Sequence, residues 1–231
     1  MAIIYFIGGK ELFNIDLIEL PSIKQVHENG SRFYTADGEK KYPSVTTILG
    51  ADPEKKKGLM EWRKRVGEEE ANRISSQATR KGTNVHACIE SYIQNQEVPS
   101  AMPHELESYL LLKGAADKFI DNIRVIEGRM LSNHLRCAGT VDLIADYRGK
   151  ISIIDWKTSA RLKRKTMVDS YFKQAAAYSV MFEENTGIPI QQLVIIMACG
   201  TGELQLFKEK RDDHIDGFIS QRDYYEGISE D

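Results

Sequence analysis

Cysteine is scarce in these 231 residues. Cys88, Cys137 and Cys199 are the three present, far apart and with no CxxC pair, which argues against a disulfide framework, a zinc ribbon or an iron–sulfur cluster. No uninterrupted apolar run approaches membrane-spanning length. The opening MAIIYFIGGKELFNIDLIEL has neither the basic start nor the small-residue cleavage site of a secretory signal. The expectation is a soluble chain in the reducing cytoplasm. A phosphate-cradling GxxxxGK[ST] loop is missing too, since IGGKEL at 7–12 lacks the spacing, so neither a nucleotide cofactor nor duplex unwinding is expected. There are no internal repeats and no low-complexity linker. Neither sign of charge dominates, the formal net charge being −3.

What the chain does have is an ordinary 42% hydrophobic content, enough for a sizeable core. Its charge is unevenly spread. KKKGLMEWRKRV at 55–66 and RLKRK at 161–165 are basic, and the stretch after Lys208 is acidic; such runs are ordinarily solvated faces.

Residues 1–50 read as strands and turns, with a hairpin about Asp37-Gly38 and Ser44 capping a short helix. Residues 51–122 read as helical. One pattern runs from Pro53 to about Gln96, with Leu59, Trp62 and Val66 on one face, Trp62 as core, and Val85, Ile89 and Ile93 following at helical spacing. A further helix begins near Pro103.

From about residue 123 the period falls to two. VIEGRML, AGTVDLIADY and KISIIDWKT are strand-like, with turns at Ser132-Asn133 and Arg148-Gly149. A helix over DSYFKQAAAYSVMFEENTG, closed by Gly187 and Pro189, leads to strands QLVIIMACG and ELQLFKEK and a last helix from about Asp212. The sum is a single α/β domain over 1–231, with an N-terminal hairpin, a helical N-terminal half, and a small mixed sheet flanked by helices over 123–231.

Two aspartates and a lysine sit where strand formers would otherwise be buried. If Arg148-Gly149 is the hairpin turn, Tyr147 faces Lys150, and counting outward Asp142 faces Asp155, with Cβ atoms about 4.5–5.5 Å apart. Two carboxylates that close repel, and partial burial raises the cost of ionising both. Lys157, two residues on, shares the face of Asp155 and offsets part of the repulsion. The oxygens left over suit a hard cation such as Mg²⁺ or Mn²⁺. Such a site serves hydrolysis, the cation polarising a phosphoryl oxygen and acidifying water while the amine stabilises negative charge. The competing reading is a surface Asp–Asp–Lys cluster, against which stand the apolar flanks of SIIDWK. Glu127, on the preceding strand, reaches the same face if that strand pairs beside the hairpin. His86 and Glu90 in GTNVHACIE lie four apart on one helical face, beside Gly82, which would permit close approach of another backbone.

These residues resemble the PD-(D/E)XK nuclease superfamily, in its RecB-like branch. Its pattern of GxxxHxxxE, an acid, G-x-x-D, D-x-K and QxxxY is matched by Gly82 to Glu90, Glu127, Gly139 to Asp142, Asp155-Trp156-Lys157 and Gln174 to Tyr178. From YPSVTTIL to the final helix the chain is most similar to the mitochondrial genome maintenance exonuclease family, covering all but roughly the first forty residues. No transit segment is evident, so a bacterial or viral relative is expected.

The resemblance implies a restriction-endonuclease-like core and a metal-dependent exonuclease acting on single-stranded DNA ends in replication, repair or recombination. Metal binding falls to His86, Asp142, Asp155 and the backbone carbonyl of Trp156, the catalytic role to Lys157, and the acid before the first aspartate to Glu127. Gln174 and Tyr178 would orient the site and contact DNA, unless they are simply packed helix residues. A single strand needs charge neutralisation and stacking surfaces; Arg80 and Lys81 could supply one wall of a channel, and Lys163, Arg164 and Lys165 another. A structure-directed endonuclease, or a non-catalytic DNA-binding scaffold for replication or recombination proteins, is compatible with the same residues.

Overall fold

The computed structural model describes residues 13–28 and 30–229; the strand reading of residues 1–12 lies outside them. A five-stranded mixed sheet runs in the order β4 (Ile120–Ser132), β5 (Cys137–Tyr147), β6 (Lys150–Ser159), β7 (Gln192–Cys199), β8 (Leu204–Lys210). All neighbours are antiparallel except β6 and β7, which are parallel. Parallel strands need a long crossover, and α5 (Asp169–Thr186) supplies it. Gly187, at φ +75°, closes α5 in the left-handed conformation that favours glycine.

The unbroken apolar run of β7 follows from burial on both faces. Leu193, Ile195 and Met197 join a core with Phe172, Met181 and Phe182 of α5 and Phe218 of α6 (Ile215–Gly227). Val194, Ile196 and Ala198 join the opposite core with Val85 and Ile89 of α3 (Glu68–Ile93) and Leu112 of α4 (Pro103–Phe119). Each large side chain sealed this way contributes about 1.5–3 kcal/mol. Glu105 joins α3 to α4, accepting from the Met102 amide and from Asn84 Nδ2, both at 2.9 Å.

The N-terminal part forms a second, three-stranded sheet of β1 (Lys24–Glu28), β2 (Ser31–Thr35) and β3 (Tyr42–Pro43), followed by the short helix α1 (Val45–Gly50). Asp37 sits in the β2–β3 connection and accepts from the amides of Glu39 and Lys40, in the expected hairpin. Ser44 caps α1 through the Thr47 amide.

The helical pattern from Pro53 to about Gln96 is made of two helices, α2 (Pro53–Val66) and α3, divided where Gly67 at φ +88° leaves the helical region. One expectation for the helical half needs correcting. Trp62 is not core: α2 buries none of its residues, Leu59 is 52% exposed and Trp62 is half-buried. The basic residues on every side of α2 leave it no apolar stripe wide enough to seal.

Candidate active site

The β5–β6 hairpin turns at Arg148-Gly149, φ +53° and +77°, in the double left-handed conformation that a tight two-residue turn prefers. Tyr147 pairs with Lys150, as counted from sequence, and the register runs regularly to Leu143–Ile154. One step further, where Asp142 and Asp155 face each other, the strands part. Asp142 Oδ2 accepts the Trp156 amide at 2.9 Å, so a side chain substitutes for the missing strand partner. On the other side of β5, the pairs Ile126–Leu143 and Gly128–Val141 leave Glu127 opposite Asp142. Glu127, Asp142 and Asp155 thus form one row across three strands.

Helices close over this row. On α3, His86 Nδ1 lies 3.7 Å from Asp142 Oδ2, and ligand atoms of His86, Glu127 and Asp142 all lie within 4.8 Å of one another. Gly82, a turn earlier, is not a point of close backbone approach: a Cβ there would meet nothing nearer than Thr158 Oγ1 at 3.8 Å. On α5, Gln174 Nε2 donates to Asp155 Oδ1 and to the Tyr178 hydroxyl, each at 3.3 Å. Tyr178 is buried and its ring occupies the space over Gly139, where a Cβ would stand 2.6 Å from Tyr178 Cε1. The glycine of G-x-x-D and the tyrosine of QxxxY are therefore one packing unit.

Lys157 Nζ contacts Asp155 Oδ2 at 2.5 Å and stands 5.2 Å from the centre of the Tyr171 ring, within cation–π range. The Asp155 Oδ2 contact is an ion pair without aligned hydrogen-bond geometry, which leaves this buried oxygen with unused acceptor capacity. Desolvation lifts the Asp155 carboxyl above the ordinary range against the pull of Lys157, Asp142 adding to the rise. Burial disfavours the Lys157 ammonium, but Asp155 and Asp142 outweigh it and hold the amine above its usual value.

Glu127 is the most perturbed of the row. Desolvation, then the charges of Asp142, Glu90 and Asp155, push its carboxyl up to about 8, with Lys157 opposing. The residue as a whole is exposed although its carboxyl is enclosed by these acids, so solvent screening trims the rise.

These donors fit a hard divalent cation: carboxylate oxygens and one imidazole, spaced so that an ion with ligands at about 2.0–2.6 Å could lie among them, plus the spare acceptor capacity of Asp155 Oδ2 beside its Lys157 contact. The grouping differs in emphasis from the expected one. Glu127 joins His86 and Asp142, whereas Asp155 is engaged by Lys157 and Gln174. Trp156 meets Asp142 through its amide.

The basic candidates make no hydrogen bond or ion pair with the acids. Arg80 and Arg164 are exposed and Lys81 is half-buried. Lys163 is clamped through its backbone to the Gln205 side chain, and Lys165 pairs with Glu209 at 2.5 Å. Two neighbours of the site went unassigned from sequence. Glu90 closes the GxxxHxxxE pattern, which gives it no role of its own, yet its charge acts on Glu127. Tyr171 precedes Gln174 by three residues, so helical spacing could have placed it on the same face.

Three acids in a row beside a lysine, on a mixed sheet between two helical layers, define a class, and residues 116–216 match the family model of the PD-(D/E)XK nuclease superfamily. The matched segment holds the acid row, Lys157, Gln174 and Tyr178; nucleases of this superfamily depend on divalent metal. Among curated proteins it is similar to human mitochondrial genome maintenance exonuclease 1, 28% identical over 177 residues, covering 69% of this chain and 50% of that protein. The mouse protein of the same name is 30% identical over 128 residues, 52% of this chain and 38% of its own. The chain thus spans half or less of the length of these relatives. A solved structure from Eubacterium rectale superimposes with a TM-score of 0.41 at 15% identity over 63% of each chain, too loosely to inform the site.

Proposed function

We propose that the chain is a Mg²⁺- or Mn²⁺-dependent deoxyribonuclease that degrades single-stranded DNA from its ends, in replication, repair or recombination. The observation that carries this reading is the row Glu127–Asp142–Asp155 meeting His86 on one side and Lys157 on the other. The word exonuclease in the names of the human and mouse relatives supports end-dependence. His86, Glu127 and Asp142, with Asp155 beside them, would hold the cation. When bound, it supplies positive charge against the phosphoryl oxygens and acidity to water.

The chain's own groups do the rest. Asp155 anchors the Lys157 ammonium at the edge of the acid row, where the amine orients the attacking water and stabilises the charge that develops at phosphorus. Gln174 fixes the Asp155 carboxylate through Oδ1. The Trp156 amide fixes the Asp142 carboxylate, so both acids are held before substrate arrives.

The test is incubation of end-labelled single-stranded, duplex and circular single-stranded DNA with and without Mg²⁺, following product lengths over time. Shortening of linear single strands, with the circle intact and no reaction without metal, is the expected pattern. Cutting of the circle would show an endonuclease instead. Lys157→Ala should lower cleavage at least about 100-fold, the scale for losing one charge-stabilising group, while DNA binding persists. Asp155, deprived of its partner, takes up a proton rather than remain a buried unpaired charge. Normal cleavage by Lys157→Ala would remove the lysine from the chemistry.

A further inference from the structure

We propose that Arg129 receives the phosphate adjacent to the one being cleaved, seating the neighbouring nucleotide of the substrate strand in a groove between residues 17–23 and β4. This rests on the nuclease reading above and adds a second anchor for the strand, apart from the basic runs visible in the sequence. The groove follows from the backbone. Residues 14–18 run along the free edge of β4, with the Ile123 amide donating to the Asn14 carbonyl at 2.8 Å, and the Asp16 and Ile18 amides donating to the carbonyls of Ile123 and Arg124 at 2.9 Å. Beyond Ile18 this pairing ends, leaving a groove of about 400 Å³ lined by Leu17, Leu20 and Ile23 on one side and Arg124, Glu127 and Arg129 on the other. That volume lies in the lower part of the range for ligand pockets, roughly 300–1,000 Å³.

Continuity and charge name the occupant. Glu127 lines the groove and also belongs to the acid cluster, so a strand leaving the reacting phosphate along β4 enters the groove directly. Positions two residues apart on a strand are separated by roughly 6.6 Å, comparable with the repeat of an extended nucleic-acid strand. Of the two arginines, Arg124 is committed, 3.2 Å from Asp146 Oδ1 and 3.1 Å from the Asn122 carbonyl. Arg129 is exposed. It pairs with no carboxylate among the described residues, Glu127 included, and its one hydrogen bond, to the Ile23 carbonyl, is stretched to 3.5 Å. A guanidinium whose one side-chain hydrogen bond among the described residues is this long contact, in a groove beside a phosphodiester-cleaving site, suits bidentate contact with phosphate. Leu17, 61% exposed, offers apolar surface to sugar or base.

Arg129→Gln and the wild type are compared on single-stranded oligonucleotides whose phosphate next to the scissile one, on either side in turn, is normal or a neutral methylphosphonate. The wild type should lose about tenfold in kcat/KM, chiefly through KM, on one of the methylphosphonates. Arg129→Gln should lose the same on normal DNA, lose nothing more on that methylphosphonate, and show a salt slope shallower by roughly 0.7. Losses that multiply, or an Arg129→Gln variant matching the wild type on normal DNA, overturn the assignment. As a second readout, the three native cysteines are buried, so Leu17→Cys adds one labelling point. DNA bound in Ca²⁺ should slow its modification, and an unprotected thiol in Leu17→Cys would mean that something other than the strand fills the groove. A wild type that cleaves no DNA sinks the nuclease reading itself, whereas an active wild type with an unaffected Arg129→Gln sinks only this inference.

Discussion

Glu127 combines the features of a strained functional residue: a left-handed backbone at φ +48°, of a kind that costs about 1–3 kcal/mol, and a carboxyl crowded by three others. Its carboxyl lies near 8 rather than 4.5, so without metal the folded protein keeps a proton that the unfolded chain has released. That contribution is complete below about 4.5 and is lost as pH rises toward 8. Glu127→Gln cannot ionise, so it escapes the loss. In chelator, Glu127→Gln should match the wild type near pH 4 and melt higher by roughly a few degrees at pH 8, reduced by the screening of a partly exposed group. Added Mn²⁺ should reverse the order, raising the wild-type Tm more than that of the variant. Thermal unfolding at pH 4, 6 and 8, with and without Mn²⁺, checks both statements, and a variant that melts lower at pH 8 in chelator would mean that the acids do not strain the site.

At the scale of elements, the site depends on two strands that stop pairing at the right place and on a helix that packs over them. Tyr178 of α5 lies over Gly139 of β5, which joins the helix to the strand carrying Asp142. Gly139→Ala should cost about 1–3 kcal/mol, the usual range for overpacking, and lower kcat as well, because Tyr178 and Gln174 would shift together. Shortening the tyrosine in Gly139→Ala/Tyr178→Leu should give a total smaller than the sum of the two single losses. Additive losses in denaturant unfolding would show that the two residues are not in contact. The break between α2 and α3 depends in the same way on Gly67; Gly67→Ala should destabilise by about 1 kcal/mol, since φ +88° is strained for alanine.

For the whole molecule, net charge says little about how a polyanion is held, because the cations differ in what they already bind. Lys165 is paired with Glu209 while Arg164 is exposed and makes no ion pair among the described residues. Neutralising Lys163, Arg164 and Lys165 together should therefore flatten the salt dependence of single-strand binding by roughly 0.7–1.4, one or two contacts, rather than the 2 or so that three contacts would give. Fluorescence anisotropy of a labelled oligonucleotide between 50 and 300 mM salt measures the slope. An unchanged slope would exclude this loop from the DNA path.

Much of the site was legible in the sequence because strands and hairpins convert spacing into position. The Arg148-Gly149 turn fixed the register as far as Leu143–Ile154, which brings Asp142 and Asp155 to the point where the strands part, and period two placed Lys157 beside Asp155. The apolar run of β7 announced a strand, and the two helical layers bury it on both faces. Tertiary structure decided what spacing cannot carry. That Glu127 stands closer to His86 and Asp142 than a reading centred on the two aspartates suggests depends on β4 pairing with β5 and on a backbone bent at Glu127. Trp62 lies outside the core because α2 has no apolar stripe wide enough to seal and buries none of its residues, and Arg129 became a candidate because residues 17–23 pass beside β4. Local chemistry determines turns, caps and alternation, whereas contacts between residues more than a hundred positions apart, such as Ile23 with Arg129, exist only once the chain has chosen among many compact arrangements of similar local energy.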